Sequence, residues 1–313
     1  MSILADRNTR VIVQGMTGRE ASAFTKDMLE YGTRVVAGIT PGKEGAVLHG
    51  LPIYDTVDRA LRDHPADASV VSVPAAVAKN AVLEALENGI RLVVVVTERI
   101  PRQDTVAFLE AARQCGATII GPNSLGLISP GEIKLGMAGG PVRNATQAFT
   151  PGKVGVISRS GGMTTEIANL LTMHGIGQST CVSIGGDPIV GTNALDLIPL
   201  FEADDGTMAT VLFSEPGGSV EERLAEYVAR NSLAKPIVAY VAGRFADRIP
   251  GVRFGHAGVI VNGTSGSVAG KIDAFRKAGI KVANALSEIV DLLRGSFPGG
   301  GIATHNPMIG AGS

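Results

Sequence analysis

Of the five histidines in this 313-residue chain, His256 lies in a glycine-lined segment, with Gly255 and Gly258 beside it. A neutral imidazole is nucleophilic near pH 7, and a carboxylate partner can fix its tautomer. Glu215, which follows a run of apolar residues, is the candidate partner. A carboxylate at such a place also commonly caps the next helix, which is the alternative role for Glu215. The two residues together predict nucleophilic catalysis at histidine.

A segment of small residues, 158–162, runs from a predicted strand directly into a predicted helix. Unpaired N–H groups and the helix dipole both favour an anion at such a helix start. The candidate phosphate-binding residues are therefore Ser158, Ser160, Gly161 and Gly162. Simple N-capping by serine is the alternative explanation.

The turn after the first predicted strand carries Gly15 and Gly18, which allow backbone N–H groups to approach a phosphate closely. Such a turn is also ordinary in α/β packing. The second strand is followed by Lys43 and lacks the carboxylate with which NAD-dependent dehydrogenases hold ribose. The positive charge of Lys43 at the end of this strand suits a phosphorylated ribose, as in CoA or NADP. The alternative is that Lys43 is simply solvated, as a lone surface lysine usually is. Thr97 and Glu98, after the fourth strand, would line the same crevice.

Short β-branched runs alternate with segments of helical periodicity, which predicts parallel strands with crossover helices. Strands of the first half are predicted near 11–13, 34–37, 68–73, 92–96 and 117–120, with helices at 21–31, 57–63, 75–88 and 104–114. Strands of the second half are predicted near 154–157, 180–184, 209–213, 236–241 and 280–283, with helices at 162–173, 193–202, 219–231, 267–278 and 287–294. The pattern predicts two doubly wound α/β domains.

Between these halves, residues 129–151 are rich in Gly, Pro, Asn and Thr, which is typical of a linker. We place the linker at 131–150, after a first domain of 1–130 and before a second domain of 151–296. The Gly-rich tail, 297–313, has no apolar period, which predicts a flexible or docking extension.

Composition narrows the classes of function. The net charge is −1, with basic residues scattered along the chain, which argues against nucleic acid as a partner. Cys115 and Cys181 are too few for a disulfide framework or a zinc site, so we expect no metal and a reducing compartment. The first ten residues lack a signal-peptide pattern, and the longest apolar run, 92–96, is too short to span a membrane. These features predict a cytoplasmic protein, with the mitochondrial matrix as the second possibility.

Eight short motifs occur along the chain in a fixed order: Met1-Ser-Ile-Leu4, Gln14-Gly-Met-Thr-Gly18, Thr40-Pro-Gly-Lys43, Gly121-Pro-Asn123, Gly152-Lys-Val-Gly155, Ser158-Arg-Ser-Gly161, Gly185-Gly-Asp-Pro188 and Gly255-His-Ala-Gly258. They match, in this order, the α subunit of succinyl-CoA synthetase and its relatives, including malate–CoA ligase, which the chain resembles from Met1 to about Arg294. The resemblance implies a Rossmann-like CoA-binding domain followed by a flavodoxin-like ligase domain.

By this resemblance the chain would be the α subunit of an ADP- or GDP-forming acid–CoA ligase. A nucleotide would phosphorylate His256, the phosphoryl group would pass to a carboxylic acid, and the CoA thiol would attack the acyl phosphate. Glu215 would orient the histidine ring. The residues that match CoA-contacting positions of the family are Thr17, Gly18, Arg19, Glu20, Lys43, Val96, Thr97 and Glu98.

The resemblance also implies partners. No P-loop motif is visible, so we expect Mg²⁺ with ATP or GTP to be supplied by a separate nucleotide-grasp β subunit, in a heterodimer or heterotetramer. The matching positions next to the acid are Asn123, Ser124 and Thr165. Thr165 stands where succinate enzymes carry a Tyr, and Ser124-Leu125 replaces their Cys-Pro. These departures predict a small acid other than succinate, whether hydroxylated, branched or sulfonated.

Two alternatives remain at this point. A CoA-binding regulatory subunit without catalysis would share the first domain but would not need His256 with Glu215. An NADP-dependent oxidoreductase would tolerate the cationic end of the second strand, but the chain lacks that class's glycine fingerprint.

Overall fold

The computed structural model describes residues 2–244, 266–297 and 301–302. Within these ranges the chain forms two seven-stranded sheets, each covered by helices. The first sheet belongs to the first half of the chain and the second sheet to the rest. This arrangement confirms the predicted α/β class with two doubly wound halves.

The first sheet has the strand order β3-β4-β2-β1-β5-β6-β7 and is parallel except between β3 and β4. Its central strands β5 and β6 are buried at every residue, as expected for parallel strands covered on both faces. The elements are β1 (Arg10–Gln14), α1 (Arg19–Tyr31), β2 (Arg34–Ile39), β3 (Val47–Leu48), β4 (Leu51–Tyr54), α2 (Val57–Asp63), β5 (Ala68–Val71), α3 (Ala75–Glu87), β6 (Leu92–Val95), α4 (Arg102–Gln114) and β7 (Thr118–Ile120).

The second sheet has the order β14-β13-β12-β10-β11-β8-β9, and its five strands from β14 to β11 run parallel. The elements are β8 (Gly126–Ser129), β9 (Ile133–Gly136), α5 (Val142–Ala148), β10 (Pro151–Ser158), α6 (Gly161–Met173), β11 (Gln178–Ser183), α7 (Ala194–Ala203), β12 (Ala209–Ser214), α8 (Val220–Asn231), β13 (Ile237–Val241), α9 (Val268–Lys277), β14 (Lys281–Ala283) and α10 (Glu288–Arg294).

The expectation of irregular structure in the 131–150 linker is wrong. This stretch contains β9 and α5, and the β8–β9 hairpin joins the second sheet as antiparallel edge strands beside β11. A glycine just before this stretch, at the start of β8, allows the hairpin to close. At Gly126, φ is 91° and a Cβ would lie 1.9 Å from the carbonyl oxygen of Leu135, so only glycine fits. The limits of the two domains stay predictions.

The start of the Gly-rich tail is docked. Ile302 is 2% exposed and packs in the core of the second sheet, and the character of the whole tail stays a prediction. Residues 298–300 and 303–313 lie outside the described residues. Among the helices of the described ranges, none is long and apolar enough to cross a membrane.

Strand register brings the carboxyl ends of the second sheet into one row. Ser158 at the end of β10 pairs with Ser183 of β11 and with Phe213 of β12, and Ser214 pairs with Val241 of β13. Ligands bind beyond this edge in doubly wound sheets. The loops that follow these strands therefore form the candidate site.

Candidate active site

The turn between β1 and α1 draws three strand ends of the first sheet together. Gly15 has a φ of 84°, and a Cβ there would lie 2.1 Å from the carbonyl oxygen of Ser72. Its N–H donates to the carbonyl oxygen of Ile39 at 2.7 Å. The contacts join the ends of β1, β2 and β5, so the glycine is required by this packing as well as permitted by it.

The start of α1 is open to an incoming anion. Gly18 is the residue before the helix, and no side chain caps the helix N-terminus. Thr17, Gly18, Arg19 and Glu20 are all exposed. Unpaired N–H groups at a helix start are electrostatically suited to phosphate. The four predicted CoA residues therefore lie together at an accessible helix terminus.

Lys43 lies in the neighbouring loop after β2. Its N–H donates to the carboxylate of Asp55 at 3.0 Å, while the side chain is exposed. Within the described part of the chain its ammonium group forms no ion pair with a carboxylate. The Thr17 hydroxyl donates to the Thr40 hydroxyl at 3.3 Å, which links this loop to the start of α1. The loop thus presents a cation beside the open helix terminus.

The loop after β6 is tied to the loop after β5 through Thr97. The Thr97 hydroxyl donates to the carbonyl oxygen of Val73 at 2.8 Å and accepts from the Val73 N–H at 3.2 Å. Val96 is buried, whereas Glu98 is exposed and lies 3.4 Å from the Arg99 side chain. Thr97 therefore ties the two loops together, and Glu98 is the charged residue among the three.

In the second sheet, the predicted phosphate loop joins β10 to α6. Ser158 is fully buried, and its hydroxyl donates to the carbonyl oxygen of Ser160 at 2.7 Å and accepts from the Ser160 N–H at 3.1 Å. Ser160 is the N-cap of α6, where its hydroxyl accepts from the Met163 N–H at 3.4 Å. Gly161 and Gly162 form the first turn of the helix. The serines hold the loop in shape, which leaves the N–H groups of the glycines for an anion.

A chain of hydrogen bonds, which we name the bridge, connects the two sheets at this edge. Asn123 donates its backbone N–H to the carbonyl oxygen of Thr97 at 2.9 Å and its side-chain amide to the carboxylate of Asp187 at 2.9 Å. The Gly186 N–H returns a bond to the Asn123 carbonyl oxygen at 3.1 Å. Arg159 donates to the carbonyl oxygen of Asp187 at 2.8 Å. The bridge therefore runs from a predicted CoA residue to the predicted phosphate loop.

The sequence predicted Asn123 as a site residue and contained Asp187 only within the motif Gly185-Gly-Asp-Pro188, and a bond between the two was not predicted. It also missed Arg159, which lies inside the predicted phosphate motif. The Arg159 Nε atom is buried without a hydrogen-bond partner in the described structure. An arginine between two serines at a strand end was the available signal.

Two further residues were predicted to lie near the acid. Ser124 is 2% exposed; its hydroxyl donates to the Ser183 carbonyl oxygen and accepts from the Gly126 N–H at 2.8 Å. These bonds use the hydroxyl to fix the turn. Thr165 is half-buried in the first turns of α6, one helical turn beyond Gly161. Thr165 is therefore the more exposed of the two residues.

Glu215 follows β12 and lies next to the loop from β10, because Phe213 pairs with Ser158. Its side chain is half-buried. The chain leaves β13 at Val241, beside Ser214, before it reaches His256. His256 itself lies outside the described residues, so its partnership with Glu215 stays a prediction.

The cysteines lie apart from these loops. Cys181 is fully buried in β11, and desolvation raises the pKa of its thiol well above the ordinary value. Cys115 is partly buried and donates its S–H to the Ala112 carbonyl oxygen at 3.5 Å. Both fit the role of small core residues. In residues 2–244, 266–297 and 301–302, no group of three or more His, Cys, Asp or Glu side chains is arranged to hold a metal ion.

Two family models match this chain. Residues 6–99 match the CoA binding domain, and residues 157–281 match the CoA-ligase domain. The two matches cover the first sheet and most of the second. They agree with the order of domains implied by the sequence.

Curated relatives align along nearly the whole chain. The succinate–CoA ligase [ADP-forming] subunit alpha 1 of Archaeoglobus fulgidus is 46% identical over 294 residues, which cover 94% of this chain and 98% of the relative. The ADP-forming sulfoacetate–CoA ligase subunit SauD of Bilophila wadsworthia is 42% identical over 294 residues, covering 94% and 99%.

Among solved structures, the ATP citrate lyase of Methanothrix soehngenii superposes with a TM-score of 0.86 at 29% identity. That match covers 96% of this chain but spans only about half, 52%, of the citrate lyase chain. The likeness shows that the two-sheet unit also occurs within a longer protein.

Proposed function

Because the chain belongs to the family of succinate–CoA ligase α subunits, we propose that it joins a small carboxylic acid to CoA through a phosphohistidine at His256. It is a subunit of an acid–thiol ligase, and the regulatory and oxidoreductase alternatives are not favoured. The bridge is the observation that carries the proposal, since it connects the loop that would hold CoA to the loop that would hold the phosphoryl group.

The phosphoryl step would use the loops at the end of β10 and β12. An imidazole nitrogen of His256 attacks the γ-phosphorus of the nucleotide, forming a P–N bond while the P–O bond to the departing diphosphate breaks. The phosphohistidine carries a charge of about −2, which preorganised donors must balance. The N–H groups of Gly161 and Gly162 would supply those donors. Glu215 would accept from the other ring nitrogen and fix the tautomer.

The acyl step would take place at the crevice shared by both sheets. A carboxylate oxygen of the acid takes the phosphoryl group, which breaks the P–N bond and restores neutral imidazole. The CoA thiol then attacks the carbonyl carbon, and the bond from that carbon to the phosphorylated oxygen breaks. Phosphate leaves with this carboxylate oxygen and takes up the thiol proton. The open start of α1, together with Lys43, would hold the phosphates of CoA. The loop that contains Glu98 would flank the rest of the CoA molecule.

The nucleotide and its Mg²⁺ would come from a partner β subunit. An α subunit implies such a partner, and the described residues contain no cluster of side chains suited to a metal. We propose a nucleotide-grasp partner in a heterodimer or heterotetramer that uses ATP or GTP. The bound Mg²⁺ would neutralise charge on the transferring phosphoryl group.

We propose that the acid is a small carboxylic acid other than succinate. Two relatives of similar identity are named for different acids, succinate and sulfoacetate, so family membership alone does not choose between them. By the resemblance, Thr165 stands where the succinate enzymes carry a Tyr, and its smaller side chain would leave more room beside the phosphate loop. Specificity constants for succinate, malate and sulfoacetate test this choice, and the highest value for succinate would refute it.

The experiment for the proposed reaction measures acyl-CoA formation by the copurified complex of this chain with its β subunit, for the unchanged protein and for His256→Asn. We expect the substitution to abolish turnover and to leave CoA affinity unchanged. Turnover that survives in His256→Asn would refute the phosphohistidine route. Tight NADPH binding in a fluorescence titration would instead reopen the oxidoreductase alternative.

A further inference from the structure

A buried lysine–glutamate pair lies behind the loop that carries Glu215. Lys271, in the second turn of α9, is completely buried, and its ammonium group pairs with the carboxylate of Glu221, whose side chain is 7% exposed. The same ammonium donates to the carbonyl oxygen of Gly217 at 2.8 Å. Next to Glu221, Glu222 accepts from the N–H of Gly266 at 2.8 Å. We call Glu221, Glu222 and Lys271 the clasp.

The clasp is placed where charge is costly. Removing two charges from water costs several kcal/mol per ion, which their attraction recovers only with good geometry. Lys271 lies near the N-terminus of α9, where the helix dipole disfavours a cation. Replacing such a pair by apolar residues of similar volume is often neutral or stabilising. The free-energy cost of burying the Glu221–Lys271 pair suggests that the pair has a role other than stabilising the fold.

That task follows from what the clasp holds. Gly217 lies two residues after Glu215, and its N–H donates to the carbonyl oxygen of Gly266 at 2.8 Å. Pro216, between them, packs against Gly243, where a Cβ would lie 2.7 Å from the Pro216 ring. The loop 215–218 is thus held from α8, from α9 and from the end of β13. Its position depends directly on the clasp through the Gly217 carbonyl.

We propose that the three residues of the clasp, Glu221, Glu222 and Lys271, are positioning residues for phosphoryl transfer, which fix loop 215–218 and thereby the carboxylate of Glu215. The proposal rests on the proposed function, because it assigns the clasp a role in the same reaction. A displacement of about 1 Å at such a carboxylate can lower a rate on the order of 100-fold. The clasp residues belong to α8 and α9 of the second sheet, so we expect CoA binding at the first sheet to be independent of them.

The test replaces the pair by apolar residues of similar size in Glu221→Leu/Lys271→Met, within the complex with the β subunit. We expect the thermal midpoint to be kept and the rate of phosphate uptake from Mg²⁺-ATP or Mg²⁺-GTP to fall at least about tenfold. CoA affinity should stay within about twofold of the unchanged protein. Lys277→Met is the control, since Lys277 is an exposed lysine on the same helix, paired with Asp273 at 2.7 Å.

A double-mutant cycle separates positioning from general structure. If the clasp acts through Glu215, the paired substitution should slow phosphate uptake in the unchanged background but have little further effect in Glu215→Gln. A paired variant that takes up phosphate at the full rate, or an equal loss in both backgrounds, overturns the positioning role. If the unchanged complex takes up no phosphate from either nucleotide, the proposed function fails and the positioning role fails with it.

Should the paired variant not fold, Glu222→Ala and Glu222→Gln test the same loop without touching the ion pair. Gln keeps an oxygen that accepts from the Gly266 N–H, whereas Ala removes it. We expect slow phosphate uptake and faster amide exchange at Gly217 and Gly266 in Glu222→Ala, with rescue in Glu222→Gln. Equal rates in both variants would overturn the proposal.

Discussion

Asn123 gives the bridge a perturbation whose size can be worked out from the structure. Its amide donates to the Asp187 carboxylate at 2.9 Å, and its φ of 55° lies in the left-handed region. A hydrogen bond to a charged group contributes about 1.5 to 3 kcal/mol, and toward the lower end here because the site is half-exposed. Alanine in a left-handed conformation adds about 1 kcal/mol of strain.

We therefore expect Asn123→Ala to lower the free energy of unfolding by about 2 to 3 kcal/mol, and Asn123→Gly by about 1 kcal/mol less, because glycine has no such strain. The backbone bonds to Thr97 and Gly186 remain in both variants, so CoA affinity should change by less than about threefold. Acyl-CoA formation should fall more than CoA affinity.

Urea denaturation of each variant measures the free energy of unfolding. Because the chain has no Trp, unfolding is monitored by far-UV circular dichroism rather than by tryptophan fluorescence. Calorimetric titration with CoA measures the affinity. Equal stability of the alanine and glycine variants would refute the strain argument. A glycine variant as stable as the unchanged protein would refute the contribution of the Asp187 hydrogen bond.

Two further predictions concern the first sheet. Gly15→Ala should cost at least about 3 kcal/mol and weaken CoA binding, because its Cβ would meet the Ser72 carbonyl oxygen at 2.1 Å. Gly42→Ala is the matched control, because Gly42 has a φ of 77° and no atom lies within 4 Å of the added Cβ. It should lower the free energy of unfolding by only about 1 kcal/mol. Equal losses for the two variants in urea denaturation would contradict the role of the Ser72 contact. The hydrogen bond from Arg10 lowers the pKa of Asp67 below its ordinary value of 3.8. The ionised carboxylate therefore stabilises the fold above pH 3.8, and this stabilisation is lost as the pH falls through the lowered pKa of the folded state. Asp67→Asn should therefore be less stable than the unchanged protein at neutral pH and approach it in acid, and a difference independent of pH would count against the Arg10 contact.

The alternation of strands and helices was predictable because parallel strands are continuous apolar runs and their helices keep a clear period. The edge elements were not. β3 has only two residues. The β8–β9 hairpin is rich in glycine, which in sequence resembles a linker, and only the close approach of Gly126 to the Leu135 backbone shows why glycine is needed there. These elements depend on contacts between distant residues rather than on local pattern.

The candidate site shows the same division. Residues that follow strand ends, such as Ser160 and Glu215, could be predicted because topology alone brings strand ends to one edge. The bond between Asn123 and Asp187 depends on a left-handed residue and on strand register. The pairing of Lys271 with Glu221 depends on two helices that pack side by side, and single lysines and glutamates in helices carry no signal of it.

The central claim is that this chain carries phosphate on His256. Its most direct test is the intact mass of the chain, copurified with its β subunit, after incubation with Mg²⁺-ATP or Mg²⁺-GTP and without CoA or acid. We expect a single phosphate that is labile at low pH, maps to His256, is absent in His256→Asn, and is discharged when the carboxylic acid substrate and CoA are added together. An intact complex that takes up no phosphate from either nucleotide would contradict it and would favour a CoA-binding regulatory subunit.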